Sequence, residues 1–139
     1  MIKDLTTSIF NRYNSIDGTA LRKVNTGGLY FQLAPHDVAE PFIVFFWIAS
    51  SPVDYAGGQK DRYENVDIQF SLFSKTDDGG IELGTISEKL MLLFDWCELT
   101  YPVGSELSHI AFERTSTANV GFVDDVWQYV INYEVKLQH

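Results

Sequence analysis

Apolar and polar side chains alternate most regularly along two stretches of the chain. In residues 126–137 one face of the alternation is apolar throughout: Trp127, Tyr129, Ile131, Tyr133, Val135 and Leu137. Residues 62–74, RYENVDIQFSLFS, alternate in the same way, with Val66, Ile68, Phe70 and Leu72 on one side. A period of two residues is typical of a strand that buries one face. The pattern therefore predicts two half-buried strands.

Residues 42–49 form a continuous apolar run, FIVFFWIA. A run too short for a helix and apolar on both faces predicts a strand over 42–50 that is covered on both sides and central in its sheet. Pro41 suits the first position of this element. A short strand is expected over 29–33. The 11 residues 51–61 are longer than a usual hairpin loop and could project up to about 18 Å as a contact arm.

A fourth long strand is expected over 107–117. The segment 116–125, STANVGFVDD, is expected to form the tip of a hairpin that leads into the last strand.

Two segments show helical periodicity. Residues 2–14 place Ile2, Leu5, Ile9 and Tyr13 on one face, and Gly18 is expected to end or follow this helix. A second helix is expected from the end of KTDDGG to about Cys97. Its apolar face contains Leu83, Ile86, Leu90, Leu93 and Cys97. Asp77 or Asp78 is placed to cap its start.

The order of these elements is α-β-β-β-α-β-β. It predicts an α+β fold with a mainly antiparallel four- to five-stranded sheet and two helices packed on one face. The length of 139 residues and the 45% hydrophobic content suit one domain, residues 1–139, with a substantial core.

The charge of the chain limits its partners. Ten basic and 19 acidic side chains give a net charge of −9, and residues 76–125 contain ten acidic but two basic side chains. Such a field repels a phosphate backbone, so sequence-specific DNA binding is not expected. A single cysteine, Cys97, excludes an intrachain disulfide. No signal peptide or membrane-spanning stretch is visible, which predicts a cytosolic protein without membrane contact.

The sequence offers no constellation for catalysis. His36, His109 and His139 are far apart and lack a metal-ligand spacing, and the Gly-Gly pairs match no phosphate-binding loop. Cys97 is expected to be buried. The chain is therefore not expected to be an enzyme or to hold a metal or cofactor.

Acidic pairs and outward aromatic side chains are the remaining candidate groups. The pairs Asp77-Asp78 and Asp124-Asp125 could bind a hard cation or be solvated turn residues. The aromatic side chains Tyr55, Phe73 and Phe122 are expected to point outward, either as interface anchors or in edge packing within one chain.

The order of these segments resembles the tail-completion, or tail-terminator, proteins of long-tailed (siphophage-type) bacteriophages and prophages. The resemblance rests on Pro41 before the aromatic strand at Phe42, the alternating strand before the second helix, the ISEKLMLLFD helix, and the aromatic final strand VWQYVINYEVKL. It extends over nearly the whole chain. It implies a structural protein that caps the last ring of the tail tube as a hexameric ring, stops tube growth, and provides the surface for joining to the head.

The resemblance implies three kinds of partner: copies of the chain, the major tail-tube protein, and a head-tail connector or neck protein. DNA would pass without sequence-specific binding, and the protein would move from the host cytoplasm into the tail or neck of the virion. The residues proposed for the ring or tube interface are Asp54, Tyr55, Gly57, Gly58, Gln59, Lys60, Phe73 and Phe122. The acids proposed to face the channel are Asp77, Asp78, Asp124 and Asp125.

Two alternatives remain from the sequence. One is a neck or head-completion protein on the other side of the same junction. The other is an acidic inhibitor that offers carboxylates to the nucleic-acid groove of a basic enzyme, as the net charge of −9 would permit.

Overall fold

The protein is described from a computed structural model, in which residues 2–53, 63–75, 78, 80–105, 107 and 109–138 are placed. The α-helices are α1 (Ile2–Asn14), α2 (Thr19–Val24) and α3 (Ile81–Phe94), with a 3-10 turn at Ile16–Gly18. The strands are β1 (Leu29–Phe31), β2 (Phe42–Val53), β3 (Tyr63–Ser74), β4 (His109–Val123) and β5 (Val126–Gln138). The α+β class predicted from the sequence is confirmed.

All five strands form one sheet in the order β1-β2-β3-β5-β4. β1 runs parallel to β2, whereas the other neighbouring strands are antiparallel. The sheet is therefore mixed, and the expectation that β2 is central was wrong, because β3 occupies the middle position. β2 is buried around Ile43 to Phe45, but residues 48–52 in its second half are exposed. Its apolar run extends beyond the part of the sheet that the helices cover.

The core lies between one face of the sheet and the helices. Its fully buried members on β3 are Val66, Ile68, Phe70 and Leu72, the side chains predicted for the inner face of that strand. Phe70 is at the centre, where its ring lies 5.6 Å from Phe45, 5.1 Å from Phe94 and 5.7 Å from Tyr133. Aromatic pairs at these distances stabilise a core beyond the area that they bury.

The helical side of the sheet contains one more helix than the sequence predicted. α1 ends at Asn14, and Gly18 follows in the 3-10 turn, where a Cβ atom would lie 2.1 Å from the carbonyl oxygen of Tyr13. α2 then packs against α3. A helix of six residues buries only Leu21, so its apolar periodicity is too short to recognise in the sequence.

β4 is longer than expected. The residues 116–125 were predicted as a hairpin tip, but β4 continues to Val123 and only Asp124-Asp125 form the turn. Register shifts between Arg114 and Ser116 and between Asn119 and Gly121 interrupt the alternation. Each such β-bulge inserts one extra residue into the strand. The alternation of inward and outward side chains therefore shifts by one position after the bulge. The predicted strand therefore stopped near the first bulge.

Candidate interaction surfaces

The β4-β5 hairpin ends in a two-residue turn. Asp124 and Asp125 have positive φ values of 53° and 64° and connect the paired residues Val123 and Val126. Two consecutive positive φ values are typical of a tight hairpin turn, and aspartate tolerates this conformation better than most residues. Both carboxylates are exposed. The turn is thus an acidic end to a long hairpin.

Two apolar side chains accompany these carboxylates. Val120 and Phe122 are each 48% exposed, and the Phe122 ring packs on Trp127 with the ring centroids 4.9 Å apart. Residues 114–120 are all exposed, because none of the helices in the described segments covers this part of β4. We call Val120, Phe122, Asp124 and Asp125 the hairpin tip. It combines an exposed aromatic side chain, of the kind that anchors protein interfaces, with two negative charges.

Phe73 lies on the face of the sheet opposite the helices. Its ring stacks on Phe42 with centroids 5.0 Å apart, and Tyr30 meets Phe42 edge to face at 6.5 Å. All three side chains are half-buried. Phe73 therefore has packing partners within the chain, and the aromatic row that it joins is part of the open sheet face.

Asp78 has a role in the fold. Its carboxylate accepts hydrogen bonds from the backbone N–H groups of Gly80 at 3.1 Å and Glu82 at 2.9 Å. These are donors that the first turn of α3 cannot satisfy within the helix. The expected capping by an aspartate is confirmed for Asp78, whose oxygens are occupied at the start of α3.

The remaining residues proposed for interfaces lie outside the described part of the chain. These are Asp54, Tyr55, Gly57, Gly58, Gln59 and Lys60 in the expected arm, and Asp77 among the channel acids. The structure brings Asp124 and Asp125 next to Phe122 and places Phe73 on the open sheet face, so the proposed residues do not form a single site.

A cleft between α3 and β4 was not found from the sequence. It has a volume of about 510 Å³ and is lined by Glu88, Met91, Leu92, Asp95 and Arg114. Arg114 pairs with Asp95 at 3.4 Å and also contacts the sulfur of Met91. Leu92 is 78% exposed. The cleft is therefore a shallow, mainly apolar depression beside an ion pair.

Asp95 also connects this cleft to the core. It accepts a 2.6 Å hydrogen bond from the hydroxyl of Tyr133, which is fully buried. Burial raises the pKa of Tyr133, and the hydrogen bond to Asp95 raises it further. The only signal in the sequence was a tyrosine on an apolar strand face, whose hydroxyl requires a partner when buried. The pattern could not identify Asp95 as that partner, 38 residues away.

A second, polar depression of about 210 Å³ lies beside α1 and includes Arg12, Asp17 and Glu98. The guanidinium of Arg12 donates hydrogen bonds of 3.1 and 3.0 Å to the carbonyl oxygen of Leu93 and pairs with Asp17 at 3.3 Å. These contacts join α1 to the end of α3. The arginine thus stabilises the helix layer.

The groups considered for chemistry give no active constellation in the described residues. Cys97 is buried, and burial raises the pKa of its thiol to about 11, so it is protonated at neutral pH. Within the same ranges, no three His, Cys, Asp or Glu side chains are grouped to hold a metal ion. No helix in the described segments is long and apolar enough to cross a bilayer.

Comparison with known proteins identifies a shared fold. No protein-family model and no curated protein matches the chain. A solved structure of the virion of a native gene transfer agent (GTA) particle contains a chain that aligns with 99% of this protein and 97% of its own length. The TM-score is 0.72 and the sequence identity is 12%. A second solved chain aligns over 96% of both proteins with a TM-score of 0.60 and 12% identity. At this identity the likeness establishes the α+β fold.

Proposed function

We propose that this protein is a structural component of a phage-like virion that acts as a tail terminator. Copies of the chain form a ring, which the resemblance suggests is hexameric, on the last ring of the tail tube. The ring stops tube growth and offers the surface that joins the tail to the head. The observation that supports this proposal most is the end-to-end fold likeness to a chain of a GTA virion.

The physical properties of the surface support a role in assembly rather than in catalysis. The described residues present a half-exposed aromatic row at Phe73 and an extended hairpin with exposed Phe122. Ring assembly needs two different patches on each subunit, one for each neighbour. A projecting hairpin supplies one such patch, and the segment 54–60 between β2 and β3 is proposed as a second contact element.

The acidity of the chain supports a position around a DNA channel. A net charge of −9 disfavours adhesion of DNA to a wall that it must pass. We propose that Asp77, Asp78, Asp124 and Asp125 face this channel. The hypothesis is contradicted if these residues lie on the outer rim of an assembled ring.

The partners that follow are other copies of this chain, the major tail-tube protein, and a connector or neck protein on the head side. Assembly would take place in the host cytoplasm, and the finished protein would remain in the tail or neck of the particle. No cofactor, metal or enzymatic activity is part of the proposed role.

The test is co-expression with the major tail-tube protein of a phage-like particle. We expect electron micrographs to show tubes with a ring of this protein at one end and a narrower distribution of lengths than tubes formed without it. Binding to the connector but not to the tube would support the neck alternative instead. A monomer that binds a basic nuclease and ignores tubes would support the inhibitor alternative.

A further inference from the structure

The hairpin tip has unsatisfied charge as well as exposed apolar surface. Asp124 and Asp125 take part in none of the ion pairs or side-chain hydrogen bonds among the described residues. Residues 115–130 contain no Lys or Arg that could compensate them. The tip is therefore suited to a partner that combines an apolar contact with positive charge.

A surface with these properties is present at the turn between α1 and α2. Ile16 is 91% exposed at the start of the 3-10 turn, and Ala20 and Lys23 are exposed one and two helical turns later. Arg22 lies beside Ile16, because its guanidinium donates a 2.7 Å hydrogen bond to the carbonyl oxygen of Ser15. We call Ile16, Ala20, Arg22 and Lys23 the turn patch.

The positive charge of the turn patch is also uncompensated. The other hydrogen bonds of Arg22 go to the hydroxyl of Thr19 at 3.2 Å and to the carbonyl oxygen of Tyr13, which are neutral acceptors. The ion pairs found in the described part of the chain include neither Arg22 nor Lys23, and the one acid of the turn, Asp17, is paired with Arg12 at 3.3 Å. The hydrogen bonds orient the guanidinium of Arg22 without neutralising its charge. A carboxylate of another molecule can therefore form an ion pair with a side chain whose position is already fixed.

We propose that the hairpin tip of one copy docks on the turn patch of a second copy. Phe122 contacts Ile16, and the carboxylates of Asp124 and Asp125 pair with Arg22 and Lys23. The two surfaces differ, since the tip closes the β4-β5 hairpin and the patch lies in the helix layer. Each copy can therefore engage two neighbours head to tail, which is the type of contact that closes rings. This inference rests on the proposed ring and names the contact within it; it assigns Asp124 and Asp125 to the junction between neighbouring copies rather than to the open channel wall, which leaves Asp77 and Asp78 as the channel acids.

The first experiment removes the charge of the tip without disturbing its turn. Asparagine tolerates positive φ as aspartate does, so Asp124→Asn/Asp125→Asn should fold normally. We expect sedimentation velocity at low ionic strength to show self-association of the wild type at concentrations up to about 1 mM. The association constant of the variant should be lower by at least about tenfold, because two charge pairs are lost.

The second experiment tests whether the two surfaces meet each other. Asp124→Lys/Asp125→Lys and Arg22→Glu/Lys23→Glu should each associate poorly alone, because tip and patch then carry like charge. An equimolar mixture should restore association, since every tip in an alternating assembly again meets a patch of opposite sign. Only contact between these two surfaces gives this recovery.

A matched control changes the same charge elsewhere. Asp37 and Asp67 are exposed and lie outside both surfaces, so Asp37→Lys/Asp67→Lys should leave the association constant within about twofold of the wild type. Circular dichroism of every variant verifies folding, and the asparagine variant carries the test if a lysine variant fails to fold.

The outcomes separate this contact from the proposed function. Wild-type association that the asparagine variant does not weaken, or a mixture that does not recover, overturns the contact and leaves tube capping untouched. A wild type that stays monomeric up to about 1 mM also overturns the contact. Failure of the proposed function is seen independently, as absence of the protein from the ends of tail tubes.

Discussion

Replacing Tyr133 with phenylalanine tests the buried link between the core and the α3-β4 cleft. The hydroxyl of Tyr133 donates a 2.6 Å hydrogen bond to Asp95, whose side chain is 25% exposed and also pairs with Arg114. A hydrogen bond to a charged group contributes about 1.5–3 kcal/mol to stability. Because water can reach Asp95 and Arg114 remains beside it, we expect Tyr133→Phe to lower the free energy of unfolding by about 1.5 kcal/mol at pH 7.

Alkaline pH provides a second test of the same contact. Burial and the hydrogen bond to Asp95 raise the pKa of Tyr133 above its ordinary value of 10.0. Above pH 10 the unfolded state loses this proton while the folded state keeps it. The contribution of Tyr133 to the free energy of unfolding is therefore fully present below pH 10 and falls by about 1.4 kcal/mol per pH unit above it. Phenylalanine has no proton to lose, so the stabilities of the two proteins should converge as pH rises from 10.

Urea unfolding followed by circular dichroism measures both effects, at pH 7 and at steps above pH 10. Tyr129→Phe is the matched control, because Tyr129 lies on the same strand and its hydroxyl has no hydrogen bond among the described residues. Its stability should change by less than about 0.5 kcal/mol. Equal stability of Tyr133→Phe and wild type at pH 7, or a difference that stays constant above pH 10, would refute the reasoning.

Three further predictions concern the helix cap, the core and the arm. Asp78→Ala removes two hydrogen bonds to the start of α3 and should destabilise the protein by about 1–2 kcal/mol in chemical unfolding, whereas the exposed Asp37→Ala should be nearly neutral. Phe70→Ala empties the centre of the core and should cost about 3–5 kcal/mol, with a value below about 1 kcal/mol contradicting the central position of this ring. Deletion of Tyr55 through Gln59 should leave a folded monomer that neither assembles nor joins tails, and normal assembly of the deleted protein would exclude the arm as a contact element.

The helices α1 and α3 and the strands β3 and β5 could be predicted from the sequence because each buries one face along most of its length. α1, β3 and β5 lie where the periodicity predicted them, whereas α3 ends at Phe94, before the predicted end near Cys97. The five apolar residues predicted for one side of the second helix are nevertheless all buried: Leu83, Ile86, Leu90, Leu93 and Cys97. Burial of one face imposes a period of about 3.6 residues on a helix and 2 on a strand, and this period is a local property of the chain. The α+β class followed from the order of these elements.

The candidate interaction surfaces could be predicted from the sequence only in part. Phe122 and the pair Asp124-Asp125 were recognised as a hairpin tip, but the bulges that extend β4 to Val123 leave no regular pattern in the sequence. The link from Tyr133 to Asp95 escaped prediction because the two residues are far apart in the chain. Contacts between distant segments depend on how the elements pack.

The local pattern of side chains was sufficient to define where most elements begin, which faces they bury, and how acidic the protein is. Packing in three dimensions was needed to place β3 at the centre of a mixed sheet and to leave the end of the β4-β5 hairpin uncovered. It also placed two acids at this hairpin tip, and an arginine and a lysine at the α1-α2 turn, that form no ion pair within the described residues. The physical reason is that periodicity reports the burial of one element at a time, whereas strand order, free surface and the pairing of charges depend on all elements together.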